Sequence, residues 1–121
     1  MTGIDKLLRD IATEVRYTRD LIGRDALEPR VMAAMAEVPR EAFVPADEQQ
    51  FAFANGPLSI GWGQTSSQPY IVALMTDLLG CGPQARVLEV GTGSGYQAAV
   101  LSRVVGQVFS VEIIPALAEA A

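Results

Sequence analysis

The sequence predicts an α/β fold in which helices lead into a parallel strand–helix–strand unit. Three observations carry this. The apolar run Arg86-Val87-Leu88-Glu89-Val90 ends in the glycine string Gly91-Thr92-Gly93-Ser94-Gly95. A helical pattern and a second apolar run, closing at Glu112, follow it. Strand, turn, helix and strand in that order form a βαβ unit with parallel neighbours and a right-handed crossover. Upstream, Ile4, Leu7, Leu8, Ile11 and Val15 fall at helical spacing. The predicted organisation is a single domain over 1–121. It has a helical lead-in over 1–54, a loop beside a site over 55–70, and a helix plus the βαβ unit over 71–121.

The elements follow in order. The first apolar stripe predicts an amphipathic helix over 4–20, with Gly23 as its stop. Pro29 opens a second helix, whose apolar face is Val31, Met32, Met35 and Val38, and Pro39 ends it. Over 41–70 the pattern turns irregular, punctuated by Pro45, Asn55-Gly56-Pro57, Gly61, Gly63 and Pro69. Aromatic residues and low charge argue against disorder there, so 58–68 is expected to be an ordered loop or short strand pair near a site. Pro69 starts a third helix, to about 79, closed by Gly80-Cys81-Gly82-Pro83. Strand over 86–90, helix over 94–104, strand over 107–112 and a helix start behind Pro115 complete the reading.

Composition narrows the chemistry. Of 121 residues half are hydrophobic, with 11 Gly and 7 Pro, a globular mixture. The net charge of −5 comes without a basic stripe, so no nucleic-acid partner is expected. No apolar run approaches the ~18 residues of a membrane span. Asp5, Lys6, Arg9 and Asp10 interrupt any apolar signal core, so no membrane partner is expected either. Cys81 is the single cysteine, which fits a reducing compartment and predicts a cytoplasmic protein. There is no histidine. Imidazole acid–base chemistry is excluded, and no metal is expected.

The glycine string lies where an open α/β sheet binds ligands, at the carboxyl end of a strand and ahead of a helix N-terminus. Glu112, closing the next strand, can accept the hydroxyls of a ribose. Glu89 stands inside the apolar strand just before the turn, where a carboxylate is costly unless something uses it. No Gly-Lys-Ser/Thr follows, so a P-loop is excluded. The spacing is G-x-G-x-G rather than the G-x-G-x-x-G of dinucleotide enzymes.

The string E-x-G-x-G-x-G resembles the class I S-adenosylmethionine-dependent methyltransferases. This likeness implies S-adenosyl-L-methionine as cofactor and a Rossmann-like, mostly parallel sheet of which this chain is the N-terminal portion. Glu89, Gly91, Thr92, Gly93 and Gly95 would surround its methionine end, and Glu112 would hold its ribose. The stretches Val38-Pro39-Arg40-Glu41-Ala42-Phe43-Val44-Pro45 and Gly63-Gln64-Thr65-Ser66-Ser67-Gln68-Pro69-Tyr70 look like those of the protein-L-isoaspartate O-methyltransferases. That family methylates the α-carboxylate of L-isoaspartyl residues in damaged proteins. The ester then closes to a succinimide, whose hydrolysis returns some normal linkages. By this resemblance Ser67 faces the substrate carboxylate and the sulfonium, with Thr65 beside it. Ser66 stands where the family often has an apolar residue, which leaves the choice of hydroxyl open. The structural alternative for Ser67 is a helix cap before Pro69.

The family's later strands, which carry the adenine contacts, are absent from the sequence. The expectation is a truncated domain, active only where those strands are supplied. The alternatives are a non-catalytic cofactor-binding remnant or partner-dependent half-domain and, against the glycine spacing, an NAD-dependent oxidoreductase fragment.

Overall fold

The computed structural model of the chain describes residues 2–121. Helix α1 (Gly3–Tyr17) opens on a capping box: the Thr2 hydroxyl accepts from the Asp5 N–H, and the Asp5 carboxylate accepts from the Thr2 N–H. Its buried residues Leu7, Ile11 and Val15 recur every four positions, the stripe predicted from spacing. The helix ends earlier than the predicted 20. At Thr18 the backbone leaves the helical angles (φ −101°, ψ 9°), and the Thr18 hydroxyl joins its own N–H on the Glu14 carbonyl, at 2.8 Å and 3.0 Å. A single separate turn, α2 (Arg19–Ile22), then runs to Gly23 at φ +76°.

Helix α3 (Pro29–Glu37) begins on its proline and ends before Pro39. Two 3-10 turns, Arg40–Phe43 and Ala46–Phe51, occupy the start of the irregular stretch. Next come β1 (Leu58–Gly61) and β2 (Gln64–Ser66), an antiparallel hairpin, so the 58–68 segment is a strand pair. Helix α4 (Pro69–Leu79) follows. Strands β3 (Arg86–Val90) and β4 (Gln107–Val111) pair in parallel, Arg86 opposite Gln107 through Val90 opposite Val111. They are joined through α5 (Tyr96–Ser102), and α6 (Pro115–Ala120) ends the chain. The predicted βαβ unit is present. Its helix is shorter than the predicted 94–104, because the glycine turn extends through Gly95, which caps α5 in a left-handed conformation.

One core joins these parts. Leu7, Ile11 and Val15 of α1 pack with Val31 and Met35 of α3, Val72 and Ala73 of α4, and Tyr96 and Val100 of α5. The α4–α5 side of the sheet is thus covered. The opposite face is not: Leu88, Val90, Phe109 and Val111 share it, and Val90 is 81% exposed. Parallel sheets are normally covered on both faces. Among the described residues no helix is long and apolar enough to cross a membrane.

Arg40 fixes the irregular stretch. It is 1% exposed. Its Nη1 donates to the carbonyls of Ala54 at 2.7 Å and Ala52 at 3.4 Å, and its Nη2 to Gly56 at 2.7 Å. One guanidinium therefore gathers three carbonyls at the root of the β1–β2 hairpin. The sequence shows Arg40 only as part of a family-like string, because carbonyl acceptors leave no side-chain signature.

Candidate active site

The hairpin turn is the dipeptide Trp62-Gly63, with φ of +52° and +71°. Two consecutive positive φ values make the type I′ geometry that suits strand twist, and asparagine or glycine normally supplies the first position. A bulky residue there is strained, yet Trp62 stays 61% exposed and gains little burial in return. Trp62→Asn is therefore expected to raise the unfolding free energy by about 1 kcal/mol, read as an increase in the urea midpoint.

The hairpin lies against the glycine turn. Ile60 of β1 is buried, and its Cδ1 would come within 3.4 Å of a Cβ placed on Gly93. The contact sets Thr65, Ser66 and Ser67 across from the end of β3. Between the two runs a cleft of about 400 Å³. Its wall includes Thr65, Ser66, Ser67, Glu89, Gly91, Thr92 and Gly93, completed by Met75, Thr76 and Leu79 of α4. Ser66 pairs with Leu58 in the hairpin ladder and is half-buried, whereas Ser67 follows the strand and is exposed. Ser67 is not a helix cap. Gln68 occupies the N-cap of α4, and no side chain bonds there.

Gly91 adopts φ +93°, and a Cβ there would meet nothing within 4 Å. The position thus needs glycine for its backbone angle and leaves room for a ligand beside the main chain. Gly93 (φ +57°) donates its N–H to Glu112 Oε1 at 2.7 Å. Glu112 Oε2 accepts from the Ile114 N–H at 3.2 Å. The two backbone N–H groups, Gly93 first, hold the Glu112 carboxyl below its usual range. Glu112 stands outside the cleft wall, closed onto the turn. A carboxylate accepts about four hydrogen bonds, so it keeps capacity for hydroxyl donors. Gly95 also lies off the wall. It starts α5, and a Cβ on it would approach Ala121 and Phe43.

Glu89 carries a partner that the sequence reading did not name. Ser110 lies directly opposite on β4, and its hydroxyl donates to Glu89 Oε1 at 2.5 Å. The Thr92 hydroxyl also bonds to Ser110 Oγ. Because Ser110 has one proton and gives it to the carboxylate, Thr92 is the donor in that second bond. Thr92, Ser110 and Glu89 form a short chain ending on the carboxylate. Ser110 was findable by aligning β4 against β3 in register, since cross-strand neighbours share a face. Burial pushes the Glu89 carboxyl up; the Ser110 hydrogen bond opposes this, and the Glu112 charge adds to it. Tyr96 borders the cleft from the core: burial pushes its phenol up to about 12, and its ring packs on Phe43 with centroids 5.8 Å apart.

The arrangement suits S-adenosylmethionine in the chemistry of its donors. A desolvated carboxylate beside an open glycine backbone fits a cationic amino-acid moiety, and a strand-end acid fits a ribose. Among the described residues no three His, Cys, Asp or Glu side chains gather as a metal site.

The protein-L-isoaspartate(D-aspartate) O-methyltransferase family model matches residues 18–121. The chain belongs to this family. A Syntrophobacter fumaroxidans protein-L-isoaspartate O-methyltransferase 2 is 60% identical over 116 residues, which are 96% of this chain and 47% of that protein. A Nitrosococcus oceani protein of the same description is 55% identical, across 96% of this chain and 53% of its own. A solved protein-L-isoaspartate O-methyltransferase superposes with a TM-score of 0.71 at 33% identity, covering 91% of this chain and 36% of the other. A Plasmodium falciparum structure described as the same enzyme, in complex with S-adenosyl-L-homocysteine, superposes at 0.64 with 22% identity, covering 92% and 51%. At that identity the likeness concerns the fold. The chain spans about half the length of the curated relatives it matches. Family membership leaves no support for the oxidoreductase alternative.

Proposed function

We propose that the chain supplies the cofactor turn and the methyl-acceptor hairpin of a cytoplasmic protein-repair methyltransferase. The reaction moves a methyl group from S-adenosyl-L-methionine to the α-carboxylate of L-isoaspartyl residues. One observation carries the reading: Thr65, Ser67 and the Glu89–glycine turn line a single cleft. Glu89, Gly91, Thr92 and Gly93 would hold the methionine end of the cofactor, with Glu112 at the ribose and Gly95 starting the helix behind the turn. When bound, the cofactor's sulfonium supplies an electrophilic methyl group.

The chain's own task is then mostly positional. An α-carboxylate, with a pKa of about 3.5, is already ionised at neutral pH, so no general base is required. A protein without histidine can therefore perform the reaction. The exposed Ser67 hydroxyl donates to the acceptor carboxylate and aligns one oxygen, and Thr65 steadies the other. Closing the hairpin over the turn excludes water, which strengthens both hydrogen bonds.

The uncovered face and the open edges of the two-stranded β3–β4 sheet support a second reading. The chain would act as a half-domain whose catalysis needs further strands, supplied in a longer chain or by a partner. Methyl transfer to an isoaspartyl peptide and to its aspartyl isomer distinguishes these readings. It is measured on the chain alone and on a chimera carrying the remaining length of the Syntrophobacter relative. Transfer to the isoaspartyl peptide alone is the expected result, in the chimera at least. Equal transfer to both peptides, or to neither in both proteins, would contradict the proposal. In the active form Ser67→Ala should lower kcat by about 10- to 100-fold, the cost of one charge-assisted hydrogen bond. Cofactor affinity should stay unchanged.

A further inference from the structure

The substrate hairpin is held by a residue that lies outside the segment matched by the family model, which begins at residue 18. Glu14, on α1, directs Oε1 at two amides. Asn55 Nδ2 donates to it at 2.9 Å, and Gln68 Nε2 donates to it at 2.9 Å. These two residues are the feet of the hairpin, one before β1 and one after β2. They also bind each other, through Gln68 Nε2 and the Asn55 carbonyl at 3.0 Å. Asn55 Oδ1 accepts the Tyr70 N–H at 3.0 Å, which fixes the first turn of α4. The Tyr70 hydroxyl returns to α1 through Thr18 at 2.6 Å.

We propose that Glu14 is a positioning residue for methyl transfer: its carboxylate clamps the two feet of the hairpin and so sets Ser67, which directly precedes Gln68, against the glycine turn. The inference rests on the methyltransferase reading for its functional half only. Both feet are held by several bonds at once. The Gln68 NH2 has two protons and two acceptors, and Asn55 engages its NH2, its side-chain oxygen and its main-chain oxygen. A single carboxylate oxygen, with its two lone pairs, takes both amides. Hydrogen bonds to a charged acceptor are about twice as strong as neutral ones. α1 packs on α3 and α4 through Leu7, Ile11 and Val15, so the clamp is mounted on a rigid element.

The test compares Glu14→Ala and Glu14→Gln with the parent by amide hydrogen exchange and by methyl transfer. Glu14→Ala should speed exchange of amides over 55–70, the Tyr70 amide among them, by about tenfold or more through local opening. Amides in the β3–β4 ladder should not change. In the active form kcat should fall while KM for S-adenosylmethionine holds. Glu14→Gln keeps a neutral acceptor and should recover much of both effects. Unchanged exchange over 55–70 in Glu14→Ala, or faster exchange everywhere alike, would overturn the clamp. Faster local exchange with kcat intact would overturn its positioning role. If no form transfers methyl groups but exchange rises locally in Glu14→Ala, the methyltransferase reading fails and the clamp stands.

Discussion

Arg40→Met is expected to lower the unfolding free energy by about 3 kcal/mol or more, the largest stability loss of any single change considered, from hydrogen bonds of about 1.5–3 kcal/mol each to a charged donor. The three carbonyls at Ala52, Ala54 and Gly56 remain after the substitution, and methionine offers them no donor. Removing one partner of a buried polar set costs more than removing the whole set. The loss is partly offset because the guanidinium is itself desolvated: burial pulls its pKa below the usual value, and its Nε has no partner among the described residues. Arg40→Lys keeps the charge but not the planar fork, so it should recover only part of the loss. Urea unfolding of the three proteins decides the matter. A difference under about 1 kcal/mol between parent and Arg40→Met would mean that the carbonyl cluster is satisfied some other way.

Glu89→Gln is expected to change stability and cofactor binding in opposite directions. Burial raises the Glu89 carboxyl above its ordinary value of 4.5. The unfolded chain therefore releases this proton at a lower pH than the folded chain. The stability linked to the protonated group is present at acid pH and is lost as pH rises from 4.5 through the folded value. At neutral pH the ionised carboxylate is a liability in the empty protein. Glutamine removes it, so the ligand-free variant should melt at a higher temperature. Affinity for S-adenosylmethionine should fall by roughly 10- to 100-fold, the loss of one charged hydrogen-bond partner. The parent's affinity should also decline as pH falls towards the raised Glu89 pKa, at a higher pH than an ordinary glutamate would give, and the variant's should not. Glu112 titrates below its ordinary value and does not share that window. Calorimetric titration across that pH range gives both results, and parallel pH profiles for parent and variant would contradict the role given to Glu89.

What could be read from the chain beforehand follows from the range of the interactions. The β3–turn–α5–β4 unit is legible because its signals are local: an apolar run, positive-φ glycines and a strand-end acid. The stripe of α1 is legible for the same reason. Its break at Thr18 is a change of backbone angle at one residue, which helical periodicity does not register. Glu14 reads as one more polar residue on the outer face of an amphipathic helix, yet its partners are Asn55 and Gln68. Asn55 itself reads as loop punctuation. Arg40 is hidden still more completely, since everything it binds is main chain. At the site, Thr65, Ser67, Glu89, Gly91, Thr92 and Gly93 could be named from pattern and meet on one cleft. Glu112 and Gly95 stand beside it, and Ser110 emerges only once the strands are set in register.

The cleft between hairpin and glycine turn is expected to receive the cofactor. The most direct test of this follows backbone amide resonances of the chain during titration with S-adenosyl-L-homocysteine, with NAD titrated in parallel. The amides of Gly91, Gly93, Ser110 and Ser67 should shift with S-adenosyl-L-homocysteine and stay in place with NAD. Shifts confined to the separate hollow beside Glu48, Phe51 and Pro57, or movement of the glycine turn by NAD alone, would contradict it.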